Sequence, residues 1–135
     1  MDFVISCSYH ESVMSEKVKI GDVLNDAINH PDWIILDIRE EDELVRDGNL
    51  RDQGNARNWV HIPSGQVAQA LALSSTEFES AYHASYLTKS VNIVVHCRSG
   101  RRSIPITDLM VKMGYKAVDY PGGIIKWKEH FLTAD

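Results

Sequence analysis

The stretch VNIVVHCRSGRRSIPITDLMVKMGY, residues 91–115, holds the pattern that decides the fold. Its first part, VNIVVH, is dominated by β-branched apolar residues, which is typical of a strand buried on both faces. Four apolar side chains then recur at the spacing of one helix face: Ile106, Leu109, Met110 and Met113. Gly114 fits the end of that helix. Cys97 is therefore predicted in a short loop between a central strand and a helix, with Ser103 as the helix N-cap.

The rest of the chain also alternates between strand and helix patterns. Further strands are predicted at residues 17–20, 33–37, 56–62 and 116–120, and further helices at 21–30, 64–72, 74–87 and 124–132. The charged segment REEDELVRDG, residues 39–48, is predicted as a loop with one helical turn. This order indicates an α/β domain with a five-stranded, mainly parallel sheet, helices on both faces and ligands at the carboxyl ends of the strands.

Length and composition narrow the class of protein. The 135 residues suit one domain, and we expect a flexible tail over residues 1–16 followed by a domain over 17–135. A net charge of −5 argues against a nucleic-acid partner, and the absence of a helix-long apolar run argues against a membrane partner. The N-terminal residues lack a secretory pattern, so we expect a cytoplasmic protein, with mitochondrial import as the alternative.

The cysteines and histidines favour free thiols over structural sites. Of the two cysteines, Cys7 lies in the predicted tail and Cys97 ends an apolar run, so a disulfide scaffold is not indicated. The six histidines are scattered, and no CxxC or HxxxH spacing is present. We therefore predict no metal site.

The loop after the central strand concentrates positive charge around one thiol. Backbone N–H groups in such a loop can point inward, and the helix that follows adds partial positive charge at its N-terminus. Three arginines, Arg98, Arg101 and Arg102, add fixed charge. Each effect favours the thiolate, which is the nucleophilic form of cysteine, and attracts a small anion. Cys97 is therefore the predicted nucleophile, and the predicted substrate-binding residues are Arg98, Ser99, Gly100, Arg101, Arg102 and Ser103.

Two reactions suit a thiolate in an anion-binding loop. One is phosphoryl transfer through a phosphocysteine, and the other is sulfur transfer through a persulfide on the cysteine. A third hypothesis is a non-catalytic module in which the loop senses sulfide or binds a partner protein. The residues of the loop alone leave these possibilities open.

Three motifs in the same order resemble the rhodanese domains. ILDIREEDE carries Asp37 and Arg39 as the DxR element after a strand, and HCRSGRRS carries Cys97 in a CxxGxRS loop. YPGGIIKWKE supplies the GG…W turn that opens the last helix, with Gly122, Gly123 and Trp127. The resemblance covers residues 17 to the C-terminus, and the single-domain length is similar to that of the small thiosulfate–thiol (glutathione-type) sulfurtransferases.

The resemblance implies a fold, a reaction and partners. The expected fold is the rhodanese-like three-layer arrangement. The expected reaction moves a sulfane sulfur from thiosulfate, or a related small anionic donor, through a persulfide on Cys97. The acceptor would be cyanide or a thiol, such as glutathione or a thioredoxin-like protein. No cofactor is expected, because sulfite leaves as an anion. Apart from the resemblance, charges at strand ends commonly fix loops, so Asp37 and Arg39 are expected to form a supporting internal ion pair or loop brace rather than to act as catalysts.

Loop length separates the two chemistries. Related phosphatases and arsenate reductases use a longer Cys-x5-Arg loop, sized for a tetrahedral oxyanion. Here that position holds Ser103, and the nearest arginines come one and two residues earlier. The shorter spacing favours a sulfurtransferase over the phosphatase or arsenate reductase alternative. His96 should face away from the thiol, since successive side chains of a strand point to opposite faces.

Overall fold

The computed structural model describes residues 20–131. Cys7 and the tail predicted over residues 1–16 lie outside this range. The helices are α1 (Ile20–Ala27), α2 (Glu41–Asp47), α3 (Leu50–Gln53), α4 (Val67–Ala72), α5 (Ser75–Tyr82), α6 (Ser103–Lys112) and α7 (Gly123–Phe131). The strands are β1 (Trp33–Asp37), β2 (Trp59–His61), β3 (Asn92–His96) and β4 (Lys116–Asp119), and a 3₁₀ turn at Ser64–Gln66 precedes α4.

The four strands form one parallel sheet in the order β2-β1-β3-β4. The chain continues from β1 to the neighbour on one side and from β3 to the neighbour on the other. The connections that follow the two central strands therefore leave in opposite directions at the carboxyl ends, which creates the crevice where open α/β sheets bind ligands. Asp37 and His96, the last residues of β1 and β3, are register partners at this point.

Helices cover both faces of the sheet, which confirms the predicted three-layer α/β fold. On one face, Ile35 and Val94 pack with side chains from α1, α3 and α7. On the other, Leu36, Ile93 and Val95 pack with side chains from α4, α5 and α6. The strands are apolar on both faces because each face is buried under helices. No helix within residues 20–131 is both long and apolar enough to cross a membrane.

The strand prediction differs from the structure at the N-terminal side of the domain. The described part of the sheet has four strands, not the predicted five. Most of the predicted first strand, residues 17–20, lies outside the described range. Ile20, its last residue, instead begins α1, which ends at Ala27.

Two local predictions near the cysteine loop are wrong. The charged segment after β1 forms a full helix, α2, whose first turn carries three acidic residues that suit the positive end of the helix dipole. The Glu40 amide also donates to Glu43 Oε1 at 2.8 Å, which satisfies a backbone N–H at the start of the helix. Ser103 is the first residue of α6 and not its N-cap, a position that Arg102 occupies. The Ser103 hydroxyl faces the thiol instead.

Candidate active site

Cys97 lies directly after β3 and is almost completely buried. Two groups contact its sulfur. The Gly100 amide donates a hydrogen bond to Sγ at 3.2 Å, and the hydroxyl of the buried Ser103 lies 3.5 Å from Sγ. The thiol can donate to this hydroxyl, and the hydroxyl can donate to a thiolate after ionisation. The loop therefore offers two donors to a negatively charged sulfur.

The start of α7 fixes the backbone of the cysteine loop. The Ile124 amide donates to the Cys97 carbonyl at 2.8 Å, and the Ile125 amide donates to the Arg98 carbonyl at 3.2 Å. Both carbonyls are thus satisfied by α7 rather than by groups in the pocket. Gly123 permits this contact, because a Cβ at this position would lie 2.3 Å from the Cys97 carbonyl oxygen. Its φ of +60° also favours glycine.

A second glycine contact joins the loop to the same turn. A Cβ on Gly100 would lie 2.7 Å from the backbone nitrogen of Gly122, so only glycine allows the two backbones to approach this closely. Gly100 also has a positive φ of 99°. The side chain of Trp127, a residue of α7, is buried in the core and packs this helix against the sheet. The CxxGxRS and GG…W motifs therefore form one interlocked unit around the sulfur.

The three loop arginines have different environments. Arg102 makes a bidentate pair with Glu43, with Nη–Oε distances of 2.7 and 2.8 Å. Arg98 is half-exposed, and its Nε lies 3.5 Å from Asp47 Oδ2. Arg101 is exposed and has no ion pair among the described residues. Both carboxylates belong to α2, so this helix lies against the cysteine loop.

The Glu43–Arg102 pair is strongly coupled. The hydrogen bond from Arg102 lowers the pKa of Glu43 from an ordinary 4.5 to about 2, against the opposing effect of burial. In turn, the hydrogen bond from Glu43 raises the pKa of Arg102. Glu43 is thus a carboxylate throughout the physiological pH range, and it holds the Arg102 guanidinium in one position.

The same coupling predicts an acid-dependent loss of stability. A carboxyl with a depressed pKa in the folded state stabilises the fold above its unfolded pKa, and it loses that contribution as pH falls through the folded pKa. For Glu43 the window is from pH 4.5 down to about 2. The difference in unfolding free energy between wild type and Glu43→Gln should therefore shrink across this range in urea titrations. A difference that stays constant from pH 6 to about pH 2 would contradict this assignment.

Asp37 and Arg39 form a completely buried ion pair behind the loop. Arg39 Nη2 lies 2.7 Å from Asp37 Oδ2, and Arg39 Nε lies 2.9 Å from Oδ1. Arg39 Nη2 also donates to the Gly48 carbonyl at 2.9 Å, which ties the pair to the end of α2. The predicted ion pair is present. Its role in supporting the site stays a prediction.

His96 completes this buried group from the neighbouring strand. Its Nε2 lies 3.7 Å from Asp37 Oδ2, on the side of β3 away from the thiol. Burial lowers the pKa of His96, despite the attraction of Asp37. Burial alone would raise the pKa of Asp37, but the charge of His96, when that ring is protonated, and the hydrogen bonds and charge of Arg39 outweigh this effect and lower it. Because burial favours neutral His96, the permanent positive charge beside Asp37 is that of Arg39.

Two aromatic residues of β2 contact the buried Asp37–Arg39 pair. The Trp59 indole donates to Asp37 Oδ2 at 3.2 Å, and His61 Nε2 contacts the Arg39 carbonyl at 2.7 Å. The two rings are stacked with centroids 6.0 Å apart. Asp37 therefore receives hydrogen bonds from Arg39, in the loop after β1, and from Trp59 in β2, which fixes the carboxyl end of β1 next to the crevice.

The structure brings most predicted site residues together and adds two that sequence reasoning missed. Cys97, Gly100 and Ser103 meet at the sulfur. Ser99 lies exposed in the same loop, and none of its side-chain contacts is described. The missed residues are Glu43 and Asp47, which belong to the segment predicted as a loop. An available signal was the spacing from Glu40 to Glu43, which is typical of a helix start.

A cleft elsewhere on the domain lies away from the thiol. This cleft of about 400 Å³ opens near the beginnings of β1 and β2, beside Ile34, Trp59 and His83. These positions are at the opposite end of the strands from Cys97. Among residues 20–131, no group of three His, Cys, Asp or Glu side chains could hold a metal ion.

The family model for the rhodanese-like domain matches residues 21–130, which includes all three motifs and every residue that contacts the sulfur. The chain belongs to the rhodanese-like domain family. A rhodanese domain-containing protein of Drosophila melanogaster, CG4456, is 29% identical over 107 residues, which are 78% of this chain and 91% of the fly protein.

A second relative is longer than this rhodanese domain. It is a Schizosaccharomyces pombe protein named as a candidate mitochondrial thiosulfate sulfurtransferase, and it is 35% identical over 97 residues. The match covers 71% of this chain but 63% of the yeast protein. This chain therefore spans less than two thirds of that relative's length.

Solved structures share the rhodanese fold. The human single-domain sulfurtransferase TSTD1 superposes with a TM-score of 0.69 at 22% identity, over 80% of this chain and 91% of the human chain. The single-domain sulfurtransferase RDL2 of Saccharomyces cerevisiae superposes with a TM-score of 0.65 at 23% identity, over 82% and 87% of the two chains. At these identities the likeness concerns the fold.

Proposed function

We propose that this rhodanese domain is a sulfurtransferase that carries a sulfane sulfur as a persulfide on Cys97, with thiosulfate or a related small anion as donor. The observation that carries the proposal is the pair of donors at the sulfur, the Gly100 amide at 3.2 Å and the Ser103 hydroxyl at 3.5 Å. They suit a thiolate before the reaction and a persulfide after it. Family relatives named as sulfurtransferases support the same reaction.

The first half-reaction loads the cysteine. The Cys97 thiolate attacks the outer sulfur of thiosulfate and forms a new S–S bond. The S–S bond of thiosulfate breaks, and its electron pair leaves with sulfite. The charges balance, because a thiolate and a dianion become a persulfide anion and a sulfite dianion. The step requires no proton donor and no cofactor, since sulfite is stable as an anion.

The second half-reaction unloads it. A thiolate acceptor, such as glutathione or a thioredoxin-like protein, attacks the outer sulfur of the persulfide, and the Cys97 thiolate leaves. Cyanide can attack the same atom and leaves as thiocyanate. Because donor and acceptor react in turn with one atom, the kinetics should be ping-pong.

The contacts at the sulfur favour sulfur transfer over phosphoryl transfer. A Cys-x5-Arg loop would place a guanidinium at the position of Ser103, where this chain has a hydroxyl. The preceding Arg102 uses both of its Nη groups to bind the two carboxylate oxygens of Glu43. A transferring phosphoryl group needs such charge around its equatorial oxygens. A single sulfur atom bonded to Cys97 needs only the small donors that are present.

Intact-mass spectrometry after incubation with thiosulfate tests this function. The expected product is protein heavier by one sulfur atom, mapped to the Cys97 peptide, together with one equivalent of free sulfite. Glutathione should then restore the original mass. A phosphoryl adduct formed with aryl phosphate, and no sulfur adduct, would instead support a phosphatase. Protein that acquires neither adduct would support the binding module.

A further inference from the structure

Two acidic side chains of α2 bind two of the three arginines of the cysteine loop. Glu43 and Asp47 are four residues apart, so they lie on the same face of the helix, one turn from each other. Glu43 pairs with Arg102 and Asp47 pairs with Arg98. The two pairs differ in strength, since the first is bidentate at 2.7 and 2.8 Å and the second has one contact at 3.5 Å.

Burial makes the first pair the more effective of the two. The Glu43 side chain is 10% exposed and that of Arg102 is 37% exposed, so solvent screens their charges incompletely. Arg98 and Asp47 are more exposed, at 50% and 24%. The end of α2 has a further contact with α7, because the Lys128 ammonium donates to the Asp47 carbonyl. The helix therefore presents both carboxylates to the loop in a fixed position.

These contacts change the charge that a donor meets. Two of the three loop arginines pair with carboxylates, and the exposed Arg101 is the one loop arginine with no counter-charge among residues 20–131. The Cys97 thiolate offsets part of that charge. A dianion gains twice as much as a monoanion from any positive potential, and it loses twice as much when the potential is neutralised. The geometry thus weakens the advantage of a dianionic donor.

We propose that Glu43 and Asp47 are specificity-determining residues that bias the site toward donors with one negative charge, and that Arg101 is the residue that meets this charge. The chemical class is an organic thiosulfonate or a hydropersulfide anion, in each of which the terminal sulfur is transferred. The proposal rests on the sulfur transfer proposed above. With methanethiosulfonate, the Cys97 thiolate takes the terminal sulfur and methanesulfinate leaves with the electron pair of the broken S–S bond.

Charge-removing variants test the proposal with a matched pair of donors. Glu43→Gln keeps an oxygen that can accept from the Glu40 amide and from Arg102, but it removes the negative charge. Asp47→Asn likewise removes the negative charge of the second pair and keeps an oxygen that can accept from Arg98. Each variant should raise kcat/KM for thiosulfate relative to methanethiosulfonate, by roughly threefold to tenfold for Glu43→Gln and less for Asp47→Asn. Arg101→Ala should lower the same ratio.

The control is Glu41→Gln, an exposed position of α2 with no ion pair to the loop among the described residues. It changes the net charge by the same amount, and its donor ratio should stay at the wild-type value. A shift as large as that of Glu43→Gln would mean that only total charge matters, which would overturn the proposal. Wild-type ratios in both Glu43→Gln and Asp47→Asn would overturn it too. An unchanged ratio in Arg101→Ala would contradict the assignment of Arg101.

A second measurement separates this inference from the function on which it rests. In a Cys7→Ser background, Cys97 is alkylated with iodoacetate, which is an anion, and with iodoacetamide, which is neutral and of similar size. The ratio of the two rates reports the electrostatic potential at the sulfur without any sulfur transfer. Glu43→Gln should raise this ratio and Glu41→Gln should not. If wild type forms no persulfide from either donor, the proposed function fails, while the alkylation ratios still decide whether α2 sets the potential.

Discussion

Cys97→Ser is expected to abolish persulfide formation and turnover completely while the domain still folds. An alcohol is not ionised near neutral pH, so the serine oxygen cannot replace the thiolate as the attacking group. The substitution is nearly isosteric, and a hydroxyl at this position can still bond to the Gly100 amide and the Ser103 hydroxyl. The unfolding free energy should therefore change by only about 1 kcal/mol. Sulfite release from thiosulfate and chemical denaturation measure the two effects separately.

Cys7→Ser is the matched control for the loss of a thiol. Cys7 lies outside the described residues and outside the CxxGxRS motif. Single-turnover persulfide formation should remain intact in this variant. If Cys7→Ser lost the sulfur adduct and Cys97→Ser retained it, the assignment of the nucleophile would be wrong.

Asp37→Ala is expected to destabilise the fold by about 3–5 kcal/mol, because it leaves the buried guanidinium of Arg39 without its counter-charge. The remaining hydrogen bond of Arg39 to the Gly48 carbonyl cannot compensate for an unpaired charge in the core. The Trp59 indole also loses its acceptor. Urea denaturation at neutral pH measures this loss.

A surface pair on α2 provides the comparison. Asp42 and Arg46 are 3.5 Å apart and largely exposed, so Asp42→Ala should cost less than about 1 kcal/mol. Adding Arg39→Met to Asp37→Ala should recover part of the stability, since the unpaired charge is then removed. Similar losses in Asp37→Ala and Asp42→Ala would show that the buried pair is not the source of the effect.

Several elements follow directly from local sequence patterns. The β-branched run of β3 and the apolar stripe of α6 can be read from neighbouring residues, because burial on one or both faces imposes a fixed period. The positions of Gly100 and Gly123 are local in the same sense, since a positive φ favours glycine wherever it occurs. The contact of Gly100 with the turn before α7, and that of Gly123 with the cysteine loop, join residues distant in sequence. Only the folded chain shows these contacts.

The helix α2 shows why part of the fold was mispredicted. Its only buried side chain is Glu43, and Val45 is 85% exposed, so the segment has no apolar stripe that would indicate a helix. Polar contacts stabilise it instead, among them the cap at its start, the ion pairs with the cysteine loop and the hydrogen bonds at its end. Ion pairs of this kind join residues that are distant in sequence, so the spacing of apolar residues along the chain cannot reveal them.

The sequence by itself determined the α/β class, the position of Cys97 between a buried strand and a helix, and the concentration of positive charge beside it. Each of these features depends on residues that are close together in sequence, within one strand or helix and the loop beside it. Only the tertiary structure decided which loop arginine has no ion pair among residues 20–131. Arg102 meets Glu43 across 59 positions of the chain, because α2 follows β1 and β1 lies next to β3 in the sheet. Side chains of the same type therefore acquire different roles from the partners that the fold brings to them.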